Sequence, residues 1–114
     1  MTQYRAGVRI EHKIAKFLTE KGYSVTRSAG SKGAFDLIAV NEKSVRLIQC
    51  KLSRSIQSYS SDITQMRAVS APKCASKELW VYEKGSGWRE FVMISKPFDG
   101  LIYPESKFGV TGNV

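Results

Sequence analysis

Two apolar runs separated by four polar residues constrain the fold of this chain more than any other feature. The runs are GAFDLIAV and VRLIQCKLS, and the polar residues 41–44 connect them. Alternating apolar positions on both sides of a short polar turn predict an antiparallel β-hairpin. With residues 41–44 as the loop, Val40 pairs with Val45 and Ile38 pairs with Leu47. The middle of the chain is therefore predicted to form two neighbouring strands of a sheet.

The same pairing predicts a polar cluster at one end of the hairpin. Two residues beyond the pair of Ile38 and Leu47, this pairing sets Asp36 opposite Gln49. Strand alternation then places Lys51 on the same face. A carboxylate and an amide supply oxygen ligands for a hard divalent cation, and an ammonium beside them can orient a nucleophile or stabilise charge. The grouping is typical of a metal-dependent phosphodiesterase. It depends on a regular hairpin, because a one-residue bulge would destroy the alignment.

A carboxylate also lies in the apolar stripe of a predicted helix over residues 4–21, which Gly22 ends. The apolar stripe consists of Ile10, Ile14, Phe17 and Leu18. Glu11 falls within that stripe, and a carboxylate on a core face is costly unless something pairs with it. Glu11 is therefore a candidate site residue, and a structural salt bridge is the alternative.

Positive charge is concentrated in the first half of the chain. The net charge is +8, and residues 1–57 contain 11 Lys and Arg against 4 Asp and Glu, whereas the second half contains 7 against 6. One ridge of the predicted helix consists of Arg5, Arg9, Lys13 and Lys16. Such asymmetry indicates a surface for a polyanion. A basic protein without that function is the alternative.

Composition excludes several classes of protein. A chain of 114 residues is long enough for one domain with a real core. Its two cysteines, Cys50 and Cys74, and its one histidine, His12, argue against a disulfide scaffold and a zinc site. Cys50 is expected to be a buried thiol in a reducing compartment. No run approaches the roughly 20 apolar residues of a membrane span, so no membrane association is expected.

Five further segments complete the predicted element order, helix, three strands, helix, two strands. Residues 23–28 alternate like a strand, and a helix is expected from Ser60 or Ser61 to about Pro72. Residues 78–84 and 88–95 are predicted as a second hairpin. The fifth segment is the 29–33 connection, where two glycines bracket Ser31 and Lys32. It allows close approach to a phosphate, although a plain turn is equally compatible with its composition.

The last 19 residues differ in character from the rest. Residues 96–114 are too apolar for a solvated linker and too broken for a regular element. We expect them to pack back on the domain formed by residues 1–95, or across a partner subunit. The predicted fold class is α/β, with a mixed sheet and helices against its faces in the order αβββαββ.

Over residues 4–95 the sequence resembles the archaeal Holliday-junction resolvases of the restriction-endonuclease-like, PD-(D/E)xK, nuclease superfamily. The resemblance rests on YRAGVRIEHKIAKFLTEKGYSVTRSAGSKGAFDLIAV followed by LIQCK. It implies a restriction-endonuclease-like sheet and a structure-specific DNA endonuclease that depends on Mg²⁺, which Mn²⁺ can replace. The substrate it implies is branched DNA, most of all the four-way junction, cut by paired symmetric nicks from a homodimer. A cytoplasmic, DNA-associated location follows from that role.

The resemblance also implies roles for individual residues. The implied metal ligands are Glu11, Asp36, Gln49 and the backbone carbonyl of Cys50. Lys51 and Ser31 complete the implied catalytic set. The implied phosphate contacts are Arg5, Arg9, Lys13, Arg27, Lys32 and Arg54. Contacts of this kind position DNA without reading its sequence.

Gln49 departs from the family pattern, which has glutamate at this position. An amide oxygen still coordinates a hard cation but carries no charge, so metal affinity should fall. This leaves room for an attenuated enzyme, and three alternatives stay open in all. The chain is a nuclease for other branched, mismatched or duplex DNA, a nuclease-fold protein that binds DNA with attenuated or no catalysis, or a single-strand binder that stacks bases on Tyr4, Tyr23, Tyr59 and Trp88.

Overall fold

One mixed β-sheet organises the molecule. The computed structural model describes residues 3–28, 35–53, 60–83, 87–95, 104 and 110–111. The elements are α1 Gln3–Glu20, β1 Ser24–Arg27, β2 Leu37–Val40, β3 Val45–Ser53, α2 Ser60–Ala68, β4 Ala75–Glu83, β5 Gly87–Ser95 and β6 Val110–Thr111. The strands lie in the sheet in chain order. This confirms the predicted α/β class.

The sheet contains three antiparallel and two parallel strand pairs. β1, β2 and β3 are antiparallel neighbours, whereas β3 and β4 run parallel with α2 in the crossover between them. β4 and β5 are again antiparallel, and β6 pairs in parallel with the edge of β5. A parallel pair needs a long crossover, and residues 54–74 supply it.

The predicted register of the first hairpin is confirmed. Val40 pairs with Val45 and Ile38 with Leu47. The turn is closed by Asn41, whose main-chain N–H donates to the Ser44 carbonyl at 3.0 Å and whose side-chain oxygen accepts from the Ser44 N–H at 2.8 Å. An Asn side chain that bonds the backbone two or three residues ahead favours a tight turn, so local chemistry fixes this register.

The first helix ends where the sequence predicts. Gly22 has a φ of 94°, a left-handed conformation that glycine adopts at low cost. The Tyr23 N–H donates to the Leu18 carbonyl and the Gly22 N–H to the Thr19 carbonyl, at 3.0 and 3.1 Å. These two bonds satisfy carbonyls at the helix end in a Schellman-type arrangement, which turns the chain into β1.

Two apolar cores lie on opposite faces of the sheet. α1 covers one face, where its buried residues pack with those of β2, β3, β4 and β5. That core consists of Ile10, Ile14, Leu18, Tyr23, Leu37, Ala39, Ile48, Cys50, Trp80 and Phe91. α2 covers the other face through Met66, which packs with Leu79 and Val81. β4 therefore has both faces buried.

A buried ion pair lies within the first core. Arg46 of β3 makes a bidentate pair with Glu78 of β4 through Nε and Nη2, at 2.9 and 2.8 Å, and the two side chains are 0% and 1% exposed. Glu78 also accepts hydrogen bonds from Ser76 Oγ and Trp80 Nε1. The Arg46 guanidinium lies 5.4 Å from the ring centroid of Tyr23. These contacts satisfy both charges internally.

Three details of the predicted element order differ from the structure. α2 ends at Ala68 and not near Pro72, and Lys77 Nζ satisfies the carbonyls of Arg67 and Val69 at that end. β4 begins at Ala75, three residues earlier than expected. The tail contributes β6, a short strand that the sequence analysis did not predict. Among the described residues, no helix is both long and apolar enough to cross a membrane.

Candidate metal centre

Asp36 lies at the point where the regular pairing of the first hairpin stops. The register ends with Leu37 opposite Ile48, yet the Asp36 N–H also donates to the Ile48 carbonyl at 2.9 Å. Two consecutive residues thus face one partner, which is the arrangement of a β-bulge. A bulge re-aims the side chain, so Asp36 does not stand opposite Gln49. The predicted pairing of these two residues is wrong for this reason.

The Asp36 carboxylate is held by Cys50 of β3. Its Oδ2 accepts a hydrogen bond from the Cys50 N–H at 3.0 Å and lies 3.4 Å from the Cys50 thiol sulfur. Glu11 of α1 reaches the same place, and one potential ligand atom from each of Glu11, Asp36 and Cys50 lies within 4.8 Å of the others. We call these three residues the open cluster. α1 and the bulge therefore bring together two carboxylates that are 25 residues apart in sequence.

Glu11 has one identified cationic neighbour. Arg27 of β1 donates from Nε to Glu11 Oε1 at 2.6 Å, and the two side chains are 25% and 15% exposed. The structural salt bridge that the sequence left open as the alternative is thus present. It does not remove Glu11 from the open cluster, because a carboxylate has a second oxygen and about four lone-pair sites.

Cys50 is a buried thiol, as predicted, and its surroundings keep it protonated. Burial raises the pKa of the Cys50 thiol far above its ordinary range, and the charges of Asp36 and Glu11 raise it further. The Lys51 charge acts in the opposite direction. In the absence of a cation, the thiol is a neutral hydrogen-bond donor to Asp36.

Gln49 and Lys51 face the other side of the sheet. Each alternates with Cys50 along β3, and their parallel neighbours Leu79 and Val81 belong to the core under α2. Lys51 Nζ accordingly pairs with Asp62 of α2 at 3.1 Å. The structure thus brings Asp36 together with Glu11 and Cys50, and separates its carboxylate from the face that carries Gln49 and Lys51.

The predicted DNA contacts fall into three groups. Arg9 and Lys13 are exposed on α1, and Lys13 Nζ lies 5.6 Å from the ring centroid of Tyr82. Arg27 is occupied by Glu11, as described above. The other predicted DNA contacts, Lys32, Arg54 and the side chain of Arg5, lie outside the described part of the chain, as does the predicted catalytic residue Ser31.

The sequence analysis missed three features of the site. It assigned Arg27 to DNA and not to Glu11, it placed Asp62 in a helix without linking it to Lys51, and it treated the Cys50 side chain only as core. No local pattern carries the first two contacts, since they join residues 16 and 11 positions apart on different elements. The third had a signal, because Cys50 adjoins Gln49 and Lys51.

The open cluster has the chemistry of a cation site. Glu11 and Asp36 provide two carboxylates, and one described cation, Arg27, neutralises only one of these charges. Half-buried carboxylates this close together repel each other unless a cation lies between them. Carboxylate oxygens are the ligands that Mg²⁺ and Mn²⁺ favour. The residues present therefore fit a divalent metal.

Comparisons with known proteins identify the family. The family model "Archaeal holliday junction resolvase (hjc)" matches residues 2–87. The crossover junction endodeoxyribonuclease Hjc of Methanocaldococcus jannaschii is 40% identical over 57 residues, which are 50% of this chain and 42% of that protein. The chain thus matches less than half the length of this curated relative.

A solved structure shows the same fold. The 1.6 Å structure of Archaeoglobus fulgidus Hjc, a Holliday junction resolvase, matches with a TM-score of 0.59 at 21% identity. The match covers 75% of this chain and 70% of that one. At this identity the likeness shows the architecture, while the family model covers most of the chain. The chain belongs to the archaeal Holliday junction resolvase (Hjc) family.

Proposed function

We propose that this protein is a divalent-metal-dependent endonuclease that cuts branched DNA, with the four-way junction as its main substrate. The observation that carries the proposal is the open cluster, in which the hairpin bulge and α1 place Asp36 and Glu11 together. Family membership supports the reaction class, and the basic first half of the chain supports a DNA substrate.

Asp36, Glu11 and the backbone carbonyl of Cys50 would hold the cation, whereas Gln49 lies on the opposite face of β3 and is left out of this ligand set. Mg²⁺ is the proposed metal and Mn²⁺ its substitute. When bound, the cation supplies Lewis acidity toward the scissile phosphate and a nucleophile at neutral pH. Cys50 positions Asp36 through its main-chain N–H, and a positioned carboxylate costs less to order when the metal arrives.

Lys51 would neutralise charge that develops on the phosphate in the transition state. Its side chain is one-third exposed, and its ammonium pairs with Asp62 at 3.1 Å. An exposed pair of this kind holds the side chain weakly, so a phosphate can compete with Asp62 for Lys51. Arg9 and Lys13 on the exposed ridge of α1 would bind flanking phosphates.

A homodimer completes the proposal. A four-way junction has approximate two-fold symmetry, and its resolution requires two symmetric cuts. A two-fold dimer supplies two active sites in matching orientation. Trp80 and Phe91 are buried in the core under α1, so we place the interface on the tail, residues 96–114. Sedimentation of the protein with and without junction DNA tests the stoichiometry. Such an enzyme works where DNA is, so a cytoplasmic, DNA-associated location stays a prediction.

The function is tested by a cleavage assay on labelled four-way junction, flap and linear duplex DNA, in Mg²⁺ or EDTA. The expected result is paired symmetric nicks on the junction that need Mg²⁺ and disappear in Asp36→Ala. Faster cleavage of the flap than of the four-way junction would show that the main substrate is another branched DNA.

A second candidate function follows from Gln49, which is uncharged and lies on the face of β3 opposite the open cluster. It is a DNA-binding protein of the same fold without efficient catalysis. Salt-sensitive junction binding without Mg²⁺-dependent nicks would support it, and recovery of nicking in Gln49→Glu would assign the deficit to this residue.

A further inference from the structure

The Cys50 thiol is the unusual member of the open cluster. A metal site for Mg²⁺ needs only oxygen ligands, yet the residue whose N–H positions Asp36 also directs its sulfur at the same carboxylate. The thiol sulfur lies 3.4 Å from Asp36 Oδ2. The side chain is buried on the α1 side of the sheet, where Glu11 also reaches.

We propose that Cys50 Sγ joins the carboxylates of Asp36 and Glu11 in binding a thiophilic divalent cation of the Zn²⁺ and Cd²⁺ class. This inference rests on the proposed function in one respect, since it concerns the occupancy of the same metal site. The consequence is a second ligand set beside the oxygen donors, so a thiophilic cation competes with Mg²⁺.

The distances fit such a site. With metal–sulfur and metal–oxygen bonds of about 2.3 and 2.0–2.2 Å, a tetrahedral sulfur–oxygen edge is about 3.5 Å. The 3.4 Å between Cys50 Sγ and Asp36 Oδ2 already has this length. The ligand atom of Glu11 lies within 4.8 Å of both, so a side-chain shift of about 1 Å completes three ligands.

The charges fit as well. Glu11 and Asp36 bring two carboxylates to the cluster, Arg27 pairs with Glu11, and a thiol that binds metal adds a further negative charge beside Asp36. As the sulfur–metal bond forms, the S–H bond breaks and its proton passes to solvent, so the ligand becomes a thiolate. Two carboxylates and one thiolate are a ligand set suited to Zn²⁺.

Arg27 competes with a metal ion for the carboxylate of Glu11. Its Nε occupies Glu11 Oε1 at 2.6 Å, so the metal must use the other oxygen or displace the guanidinium. The inference therefore makes Asp36 and Cys50 the principal ligands and Glu11 the weaker one.

The test uses Cd²⁺ as the probe and the ultraviolet thiolate-to-Cd²⁺ charge-transfer band as the readout. Cys74 is exposed, so Cys74→Ser removes the other thiol and serves as the reference protein. We expect the reference to show the band at one Cd²⁺ per chain, and Zn²⁺ to abolish it by competition. Adding Cys50→Ser should eliminate the band, and adding Asp36→Asn should weaken Cd²⁺ affinity by about tenfold or more.

Two results overturn the inference. One is no band in Cys74→Ser, and the other is a band whose affinity is unaffected by Asp36→Asn, since an isolated thiol then binds the probe. Cys50→Ala serves as a second variant if Cys50→Ser fails to fold, as judged by circular dichroism.

The junction assay in Mg²⁺ is run on the same Cys74→Ser protein to separate the two proposals. Mg²⁺-dependent nicking without a Cd²⁺ band leaves the proposed function intact and removes the inference. A Cd²⁺ band without nicking shows the thiol site and removes the proposed function.

Discussion

Two carboxylate clusters lie on the same face of the sheet, at opposite ends of β3, and they are built differently. We call the first the closed cluster. There the Glu78 carboxylate accepts hydrogen bonds from Arg46 Nε and Nη2, Ser76 Oγ and Trp80 Nε1, and the ion pair is almost fully buried. At the open cluster, Arg27 pairs with Glu11, Cys50 donates to Asp36, and both carboxylates are half-buried.

The difference lies in charge balance and access. The closed cluster has one negative and one positive charge and donors for both carboxylate oxygens, so it holds the fold and has no place for a cation. The open cluster has two carboxylates, of which the structure shows one, Glu11, in an ion pair among the described residues, and both are partly exposed to solvent. A glutamate paired with an arginine therefore stabilises the fold in the closed cluster, and the same kind of pair belongs to a proposed metal site in the open cluster.

The largest expected effect comes from breaking the closed cluster. Glu78→Gln leaves the Arg46 charge buried without a carboxylate, and removal of one partner of a buried pair costs about 3–5 kcal/mol. Urea denaturation measures the free energy of unfolding. The matched control is Arg46→Met with Glu78→Leu, which removes both charges and should be much closer to wild type. A loss below about 1 kcal/mol in Glu78→Gln would contradict the structural role of the pair.

The opposite pattern is expected at the open cluster. Asp36→Asn keeps the size of the side chain but removes a metal ligand, so junction cleavage should fall by at least about a hundredfold. Its free energy of unfolding should stay within about 1 kcal/mol of wild type or rise, because repulsion from Glu11 is relieved. Single-turnover cleavage and urea denaturation are measured on one preparation. Cleavage at the wild-type rate would remove Asp36 from the site.

A smaller effect is expected from the Cys50 thiol, whose pKa is raised from an ordinary value of 9.0. The folded protein keeps this proton to a higher pH than the unfolded chain does. Its contribution to stability is therefore full below pH 9 and falls as the pH rises above it, by about 1 kcal/mol between pH 9 and 10. Unfolding of wild type and Cys50→Ala at both pH values measures the difference. Parallel pH profiles would show that the thiol titrates normally.

The smallest effect on stability and cleavage is expected from the ion pair between Lys51 and Asp62. Asp62→Asn removes the partner of Lys51, and because both side chains are partly exposed the cost to stability should be under about 1 kcal/mol. With Lys51 released, cleavage should be unchanged or rise by about two- to threefold. Lys51→Ala is the control and should lose most cleavage. A strong loss in Asp62→Asn would instead make Asp62 part of the catalytic site.

Local features of the fold could be predicted from sequence, and contacts between distant elements could not. The Gly22 helix end and the Asn41 turn each depend on residues within five positions, so pattern and chemistry identify them. The pairing of Arg46 with Glu78 depends on β3 and β4 lying in parallel, which no local pattern reports.

At the candidate site, too, contacts between distant elements could not be predicted from sequence, and here one contact was predicted wrongly. Glu11 and Asp36 were identified from a carboxylate in an apolar stripe and from the hairpin register. The bulge at Asp36 was not, because a single added residue in a ladder leaves no mark in the alternation of residues 37–40. It moved the carboxylate from the side of Gln49 to that of Cys50, so the sequence named the residues and misplaced one of their contacts.

The most direct test of this contrast is the electron paramagnetic resonance of Mn²⁺ titrated into the protein, which reports free against bound metal. We expect saturable Mn²⁺ binding in wild type and an affinity that is weaker by about tenfold or more in Asp36→Asn. Saturable binding that Asp36→Asn leaves unchanged, or no saturable binding in wild type, would contradict the assignment of the open cluster as the metal centre.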